Sequence, residues 1–237
     1  MCLAIAYKGK DLLYGYNLDV DPSVWQFSIC KSKSVFALGV TVGKTTYYVH
    51  GINKNGNFGN VPYMNGEECP IQKGLRRERI DLMNDRYIKG KYSFEDIEEI
   101  IKTKAVCNTP AATMHSLIGS GNGDLLIVEP GYGCKKVEDN YAVLSNFPVL
   151  TKLEDYSSLF YGKDRYDKAL SVLSNADENF SCKDALQLLY QTKQEGQWAT
   201  RVSFVYSKND NAVYYFLNGD ISNLETHYFT ALEGKNA

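Results

Sequence analysis

The second residue of this chain is a cysteine, followed at once by an apolar, strand-forming run, Leu3-Ala4-Ile5-Ala6-Tyr7. Removal of Met1 would give Cys2 both a thiol and a free α-amine. Their ordinary pKa values, about 8.5 and about 7.7–8.0, lie so close that proton exchange between them near neutral pH costs only about 1 kcal/mol. The amine can take the thiol proton during nucleophilic attack, then pass a proton to a departing amine. No histidine is needed, which suits a chain whose three histidines, His50, His115 and His227, are scattered. A cysteine that opens a strand also stands on a rigid platform. The competing reading is an ordinary cysteine at position 2, and further residues must displace it.

Asp19 is the first of these. It ends Tyr14-Gly15-Tyr16-Asn17-Leu18-Asp19, a segment that runs back from the short turn Lys8-Gly9-Lys10-Asp11. The hairpin brings its far end near Cys2, where a carboxylate could hold the ammonium form of the amine or orient the thiol. A turn-starting aspartate before Val20-Asp21-Pro22 is the plainer alternative. Other suggestive segments carry less. Gly119-Ser120-Gly121-Asn122-Gly123-Asp124 lacks the Gly-Lys-Ser/Thr ending of a phosphate loop and precedes a strand, so it reads as a hairpin. His50, between Val49 and Gly51, reads as a structural strand residue rather than as half of a Cys-His dyad. Cys30, Cys107 and Cys182 read as buried thiols.

The elements around these residues come in blocks. Strands are expected over 2–7, 12–19, 25–30, 35–42, 45–52 and 58–64, with an Asn-Gly-type turn at Asn53-Lys54-Asn55-Gly56. In 45–52 neither alternating face is fully polar, as in a sheet covered on at least one side. A helix over 72–88 carries Leu75, Ile80, Leu82, Met83 and Tyr87, and the basic cluster Arg76-Arg77 with Arg79 reads as its solvated face. Ser93-Phe94-Glu95-Asp96 is a capping box ahead of Ile97, Ile100 and Ile101. Strands follow over 115–119, 125–129 and 142–146. Helices follow over 164–173 and from Ser181, and closing strands over 201–206 and 213–217. Strands, helices, strands, helices, strands, with hairpin links, predict an α+β fold: a four-layer αββα sandwich with largely antiparallel sheets.

Composition agrees. The 237 residues, 44% hydrophobic, suit a single domain over 1–237 with a sizeable core. A net charge of -2 asks for no nucleic-acid partner. No apolar run reaches the roughly 20 residues of a membrane span, and the first residues do not resemble a secretory signal. A cytoplasmic protein with reduced thiols is the expectation. The six cysteines, at 2, 30, 69, 107, 134 and 182, form no Cys-x-x-Cys pair, so no metal site and no cofactor are expected.

Taken in order, Met-Cys-x-Ala-Ile followed by Gly-x-Asn-Leu-Asp resembles the choloylglycine hydrolase family. This family of linear-amide hydrolases includes bile salt hydrolases and penicillin V acylases, within the N-terminal nucleophile hydrolases. Gly51-Ile52-Asn53-Lys54-Asn55-Gly56 resembles its Gly-Met-Asn-Glu-Lys-Gly turn, and Ala142-Val143-Leu144-Ser145-Asn146-Phe147-Pro148 its Leu-Thr-Asn-x-Pro segment. Thr200-Arg201-Val202-Ser203 sits where the family places a late arginine. The match runs to about Leu217. Each motif is weak alone; the ordered set is more specific.

The resemblance implies roles. Cys2 would be the nucleophile and, through its amine, the base. Asp19 would interact with that amine, Asn146 would help bind the oxyanion, and Arg201 would support thiolate and Asp19 electrostatically. Counting from Gly56 puts Tyr63 at the other oxyanion position; Asn65, two residues on, is the choice if a small gap intervenes. The chain departs from the family at Tyr16, where better-studied members carry an arginine; an aromatic there could line the pocket. It is also shorter, mostly after Arg201, so no tetramer is carried over, though a homo-oligomer stays open. The implied activity is hydrolysis of a linear C–N amide of a small N-acyl substrate through a thioester, with Tyr63 tilting toward the acylases. An acyltransferase using the same thioester and a non-catalytic ligand-binding relative are the alternatives.

Overall fold

The computed structural model describes residues 2–64, 77–109, 112–150 and 162–229. Its order is β1 (Leu3–Lys8), β2 (Leu12–Asp19), β3 (Ser28–Lys31), β4 (Val35–Val42), β5 (Thr45–Asn53), β6 (Phe58–Asn60) and β7 (Arg77–Arg79). Helices α1 (Ile80–Ile88) and α2 (Phe94–Thr103) follow, then β8 (Ala105–Cys107), β9 (Ser116–Gly119), β10 (Leu125–Glu129), β11 (Gly133–Val137) and β12 (Tyr141–Leu144). The chain continues through α3 (Lys163–Ser174), α4 (Cys182–Gln191), β13 (Thr200–Ser207), β14 (Ala212–Leu217) and β15 (Glu225–Tyr228).

Two antiparallel sheets stack face to face. One runs β12-β1-β2-β13-β14-β15, the other β11-β10-β9-β6-β5-β4-β3. Strand periodicity assigns each side chain to a layer. In β1, Ala4 and Ala6 point between the sheets with Tyr14, Tyr16, Phe36, Phe58 and Phe204. Leu3 and Ile5 point the other way, onto Ala169 and Leu173 of α3 and Ala185 and Leu189 of α4. On the opposite side, Ile118, Leu126 and Val128 meet Met83 and Tyr87 of α1 and Ile97 of α2. Helices therefore cover both outer faces, giving the expected αββα layering. That is why β1 and β2 have so little polar alternation: both of their faces are buried.

The capping box at α2 forms as read. Ser93 N donates to Asp96 Oδ2 at 2.8 Å, and Asp96 N to Ser93 Oγ at 3.1 Å. Ser181 and Asp184 repeat the device on α4.

Several expectations are corrected. The helix expected over 72–88 begins only at Ile80; 72–76 lie outside the described residues, and Arg77–Arg79 form β7, paired in parallel with β8. Arg77 and Arg79 of the basic cluster are thus on a strand. Its inward residue, Glu78, binds Arg86 at 2.5 Å and Lys104 at 3.3 Å, which ties the strand to both helices. The strand over 25–30 is shorter and later, and that over 58–64 stops at Asn60. Strands β8, β11 and β15 had no strong alternation to announce them.

Candidate functional site

Sheet order assembles the site. The β1–β2 hairpin pairs Leu3 with Asn17, so Cys2 sits beside the end of β2. Strand β12 returns along the other side of β1 with Ala4 opposite Leu144. Extending that register puts Asn146 opposite Cys2. Strand β13 pairs with β2, setting Thr200 opposite Asp19. Three segments far apart in sequence meet at one end of one sheet.

Cys2 is 6% exposed. Its backbone nitrogen donates to Asn146 Oδ1 at 2.5 Å, and its sulfur lies 4.0 Å from the Asp19 carbonyl. Asn146 Nδ2 donates to the Tyr63 carbonyl at 2.5 Å. The amide orientation follows: the oxygen faces an N–H and the nitrogen faces a carbonyl.

The Asp19 carboxylate is buried and paired. Thr200 Oγ1 donates to Oδ1 at 2.5 Å, and Arg165 Nη1 donates to Oδ2. Arg165 Nη2 also reaches Asn146 Oδ1 at 3.4 Å. Burial pushes the Asp19 pKa from 3.8 up to about 6; Arg165 and the Thr200 hydrogen bond pull against that rise without cancelling it.

Arg165 was missed by the sequence reading, although α3 carries a signal for it. Arg165, Ala169 and Leu173 fall at i, i+4 and i+8 and are the buried residues of that helix, so a guanidinium stands on the apolar stripe. Gly162, just before α3, makes room for it. Its φ is +85°, and a Cβ there would lie 2.6 Å from Arg165 Nη2 and 2.5 Å from Ser145 Oγ.

Arg201 is placed differently from the role the resemblance implied. The β2–β13 register shifts between Thr200 and Val202. Half-buried at this irregularity, Arg201 directs Nε to the Val20 carbonyl at 3.4 Å. The guanidinium paired with Asp19 is that of Arg165. Tyr63 is half exposed and offers Asn146 its backbone carbonyl. Asn65 lies outside the described residues. Tyr16 is fully buried between the sheets, stacked on His50 at 4.4 Å; it lies beneath the cavity, whose wall it does not join.

That cavity has a volume of about 650 Å³ and opens over Cys2 and Asp19. Trp25, Phe27, Leu38, Val49, Met114 and Trp198 line it, a mostly apolar wall of the size small-molecule sites have.

Behind Asn146 lies a second polar group that sequence reading did not connect to the site. His115 and Glu129 are both fully buried, with Nδ1 3.1 Å from Oε1. His115 Nε2 faces the Ser145 carbonyl at 2.5 Å. Glu129 accepts from Val149 N at 2.7 Å and Leu150 N at 2.9 Å. One carboxylate thus fixes the backbone on both sides of Asn146.

Among the described residues no group of three or more His, Cys, Asp or Glu could hold a metal ion, and no helix is long and apolar enough to cross a membrane.

No family model matches the chain, and no curated protein matches it by sequence. Solved structures do match. The C2A mutant of conjugated bile acid hydrolase from Clostridium perfringens superposes with a TM-score of 0.72 at 14% identity, over 99% of this chain and 94% of that one. Penicillin V acylase from Agrobacterium tumefaciens gives 0.58 at 14% identity, over 91% and 83%. An N-acylethanolamine-hydrolyzing acid amidase ortholog from Caenorhabditis elegans gives 0.57 at 11% identity, over 87% and 93%. At such identities the likeness is one of fold. The chain has the N-terminal nucleophile hydrolase fold, shared with these three proteins.

Proposed function

We propose that this protein hydrolyses linear, non-peptide amides carrying an apolar acyl group, with Cys2 as an N-terminal nucleophile once Met1 is removed. The observation that carries the reading is the placement of Cys2. Its nitrogen is held 2.5 Å from Asn146 Oδ1, at the mouth of an apolar cavity of about 650 Å³. Amide hydrolysis is also what the three fold relatives are named for.

In this reading the α-amine takes the thiol proton as sulfur attacks the carbonyl carbon. The carbonyl electrons move to oxygen, and that oxyanion displaces the Tyr63 carbonyl as the partner of Asn146 Nδ2. Collapse breaks the C–N bond, and the ammonium of Cys2 gives its proton to the leaving nitrogen. Water then cleaves the thioester, releasing the acid and restoring the thiol. Asp19, paired with Arg165 and Thr200, supplies the carboxylate beside the amine. The apolar wall favours an uncharged acyl group, so penicillin V-like and bile salt-like amides are the substrates to try. We extend the proposal to a single catalytic domain over 1–237 in the cytoplasm. The free state of Cys2, Cys30, Cys107, Cys134 and Cys182 is consistent with that compartment.

The test combines intact mass with turnover. The active preparation should lack Met1 and accumulate an acylated Cys2 with a slow N-acyl amide. Cys2→Ala should show neither adduct nor turnover, and turnover surviving in Cys2→Ala sinks the mechanism. Transfer of the acyl group to an added amine would move the reading to an acyltransferase.

A further inference from the structure

Tyr16 stands where the resemblance expects an arginine, and His50 is a strand histidine with no role in the mechanism above. The structure joins them. Tyr16 pairs with Ala4 across the hairpin, so it is the diagonal neighbour of Cys2 on the same face of the sheet. Cys2, Tyr16 and His50 are all buried. The Tyr16 and His50 rings stack at 4.4 Å with an interplanar angle of 24°, and the phenol oxygen is 3.3 Å from His50 Nε2.

The direction of the hydrogen bonds can be worked out from the far end. Val61 N donates to His50 Nδ1 at 3.3 Å, so Nδ1 is an acceptor and carries no proton. Burial lowers the His50 pKa to about 3, so the ring is neutral at working pH. Its one proton is therefore on Nε2, facing the Tyr16 oxygen. A phenol that accepts there keeps its own proton to give elsewhere. Burial holds the Tyr16 pKa well above its ordinary value, and the next causes are the charge of the Cys2 side chain and a side-chain hydrogen bond to it. The phenol stays protonated, and Cys2 lies diagonally across the strand pair from it, within reach of an aromatic side chain.

We propose that Val61 N–H, His50 and Tyr16 form a one-way hydrogen-bond relay whose last donor, the Tyr16 hydroxyl, stabilises the Cys2 thiolate. In this proposal Tyr16 is a catalytic residue, because its hydroxyl donates to the reacting sulfur, and His50 is a positioning residue that acts through it. The relay supplies a neutral donor at a position where the resemblance expects a cation. It rests on the reading of Cys2 as nucleophile.

The experiment measures alkylation of the Cys2-containing peptide by iodoacetamide, followed by mass spectrometry, in folded protein that lacks Met1. Tyr16→Phe should slow alkylation at pH 7 by about tenfold, the lower end of what a hydrogen bond to an ionised acceptor is worth, with little change at pH 10. His50→Leu should slow it at pH 7 as well. His50→Gln, which keeps an N–H donor at the place of Nε2, should restore most of the rate. A folded Tyr16→Phe with the wild-type rate at pH 7, or with equal slowing at both pH values, overturns the relay. If Tyr16→Phe does not fold, the two His50 variants decide, and equal rates for Leu and Gln overturn it. Cys2→Ala separates the two levels of the argument. Amidase turnover surviving in Cys2→Ala removes the nucleophile and the relay together. An inactive Cys2→Ala beside an unperturbed Tyr16→Phe removes the relay alone.

Discussion

Asp19→Asn should change how stability depends on pH. Burial raises the Asp19 pKa in the folded protein to about 6, against 3.8 for the ordinary side chain. A native state with the higher pKa binds the proton more tightly than the unfolded chain does. Asp19 therefore contributes stability that is fully present below about 3.8 and is lost as the pH rises through about 6. The difference of about 2 units, at about 1.36 kcal/mol each, corresponds to roughly 3 kcal/mol. The carboxylate is buried, so solvent screening takes little from that figure. Asparagine cannot titrate. The variant keeps a neutral amide beside Arg165 at every pH, so it lacks the loss that the wild type suffers between pH 4 and pH 7. Urea unfolding of both proteins from pH 3.5 to 8, followed by tryptophan fluorescence, should show the wild type losing about 3 kcal/mol relative to the variant as the pH rises. Parallel profiles would refute the argument, because they would mean that Asp19 ionises in the folded protein as it does in the unfolded one. The same titration bears on turnover. If the ionised carboxylate holds the ammonium of Cys2, the rate should fall as the pH drops through about 6.

Asn146→Ala should lower kcat by on the order of 10²–10³, as loss of one oxyanion donor does, and steady-state kinetics on any turned-over amide would show it; an unchanged rate removes Asn146 from that role. Glu129→Gln should destabilise the fold by about 1–3 kcal/mol in urea unfolding. One carboxylate oxygen accepts from Val149 N and the other from Leu150 N, and an amide must turn its NH₂ toward one of these donors. A stability within about 0.5 kcal/mol of wild type would show that the pair carries no net weight.

Much of the architecture was legible because strand and helix periodicities are local. The buried hairpin Leu3–Lys8 with Leu12–Asp19, the capping box at Ser93 and the stripe Ala185, Leu188, Leu189 each declare themselves within a few residues. The start of α1 was misplaced because 72–88 has a helical pattern throughout. Pairing with Ala105–Cys107, a partner 28 residues away, draws Arg77–Arg79 into a strand instead. Cys2, Asp19 and Asn146 could be picked out from short motifs. The residues that complete the group could not, because each is presented by a different layer. Arg165 comes from a helix packed on the outer face of one sheet. His50 crosses from the other sheet to stack on Tyr16.

The sequence by itself determined which residue could be a self-contained nucleophile, which segments alternate, and in what order sheets and helices follow one another. Only the tertiary structure decided who stands beside whom. Strand β12 lies against β1 and β13 against β2, so Asn146 and Thr200 reach Cys2 and Asp19 from more than 140 and 180 residues away. The guanidinium that neutralises Asp19 is Arg165 for the same reason. A buried carboxylate must find an opposite charge, and sheet order with helix packing settles which arginine is close enough to supply it.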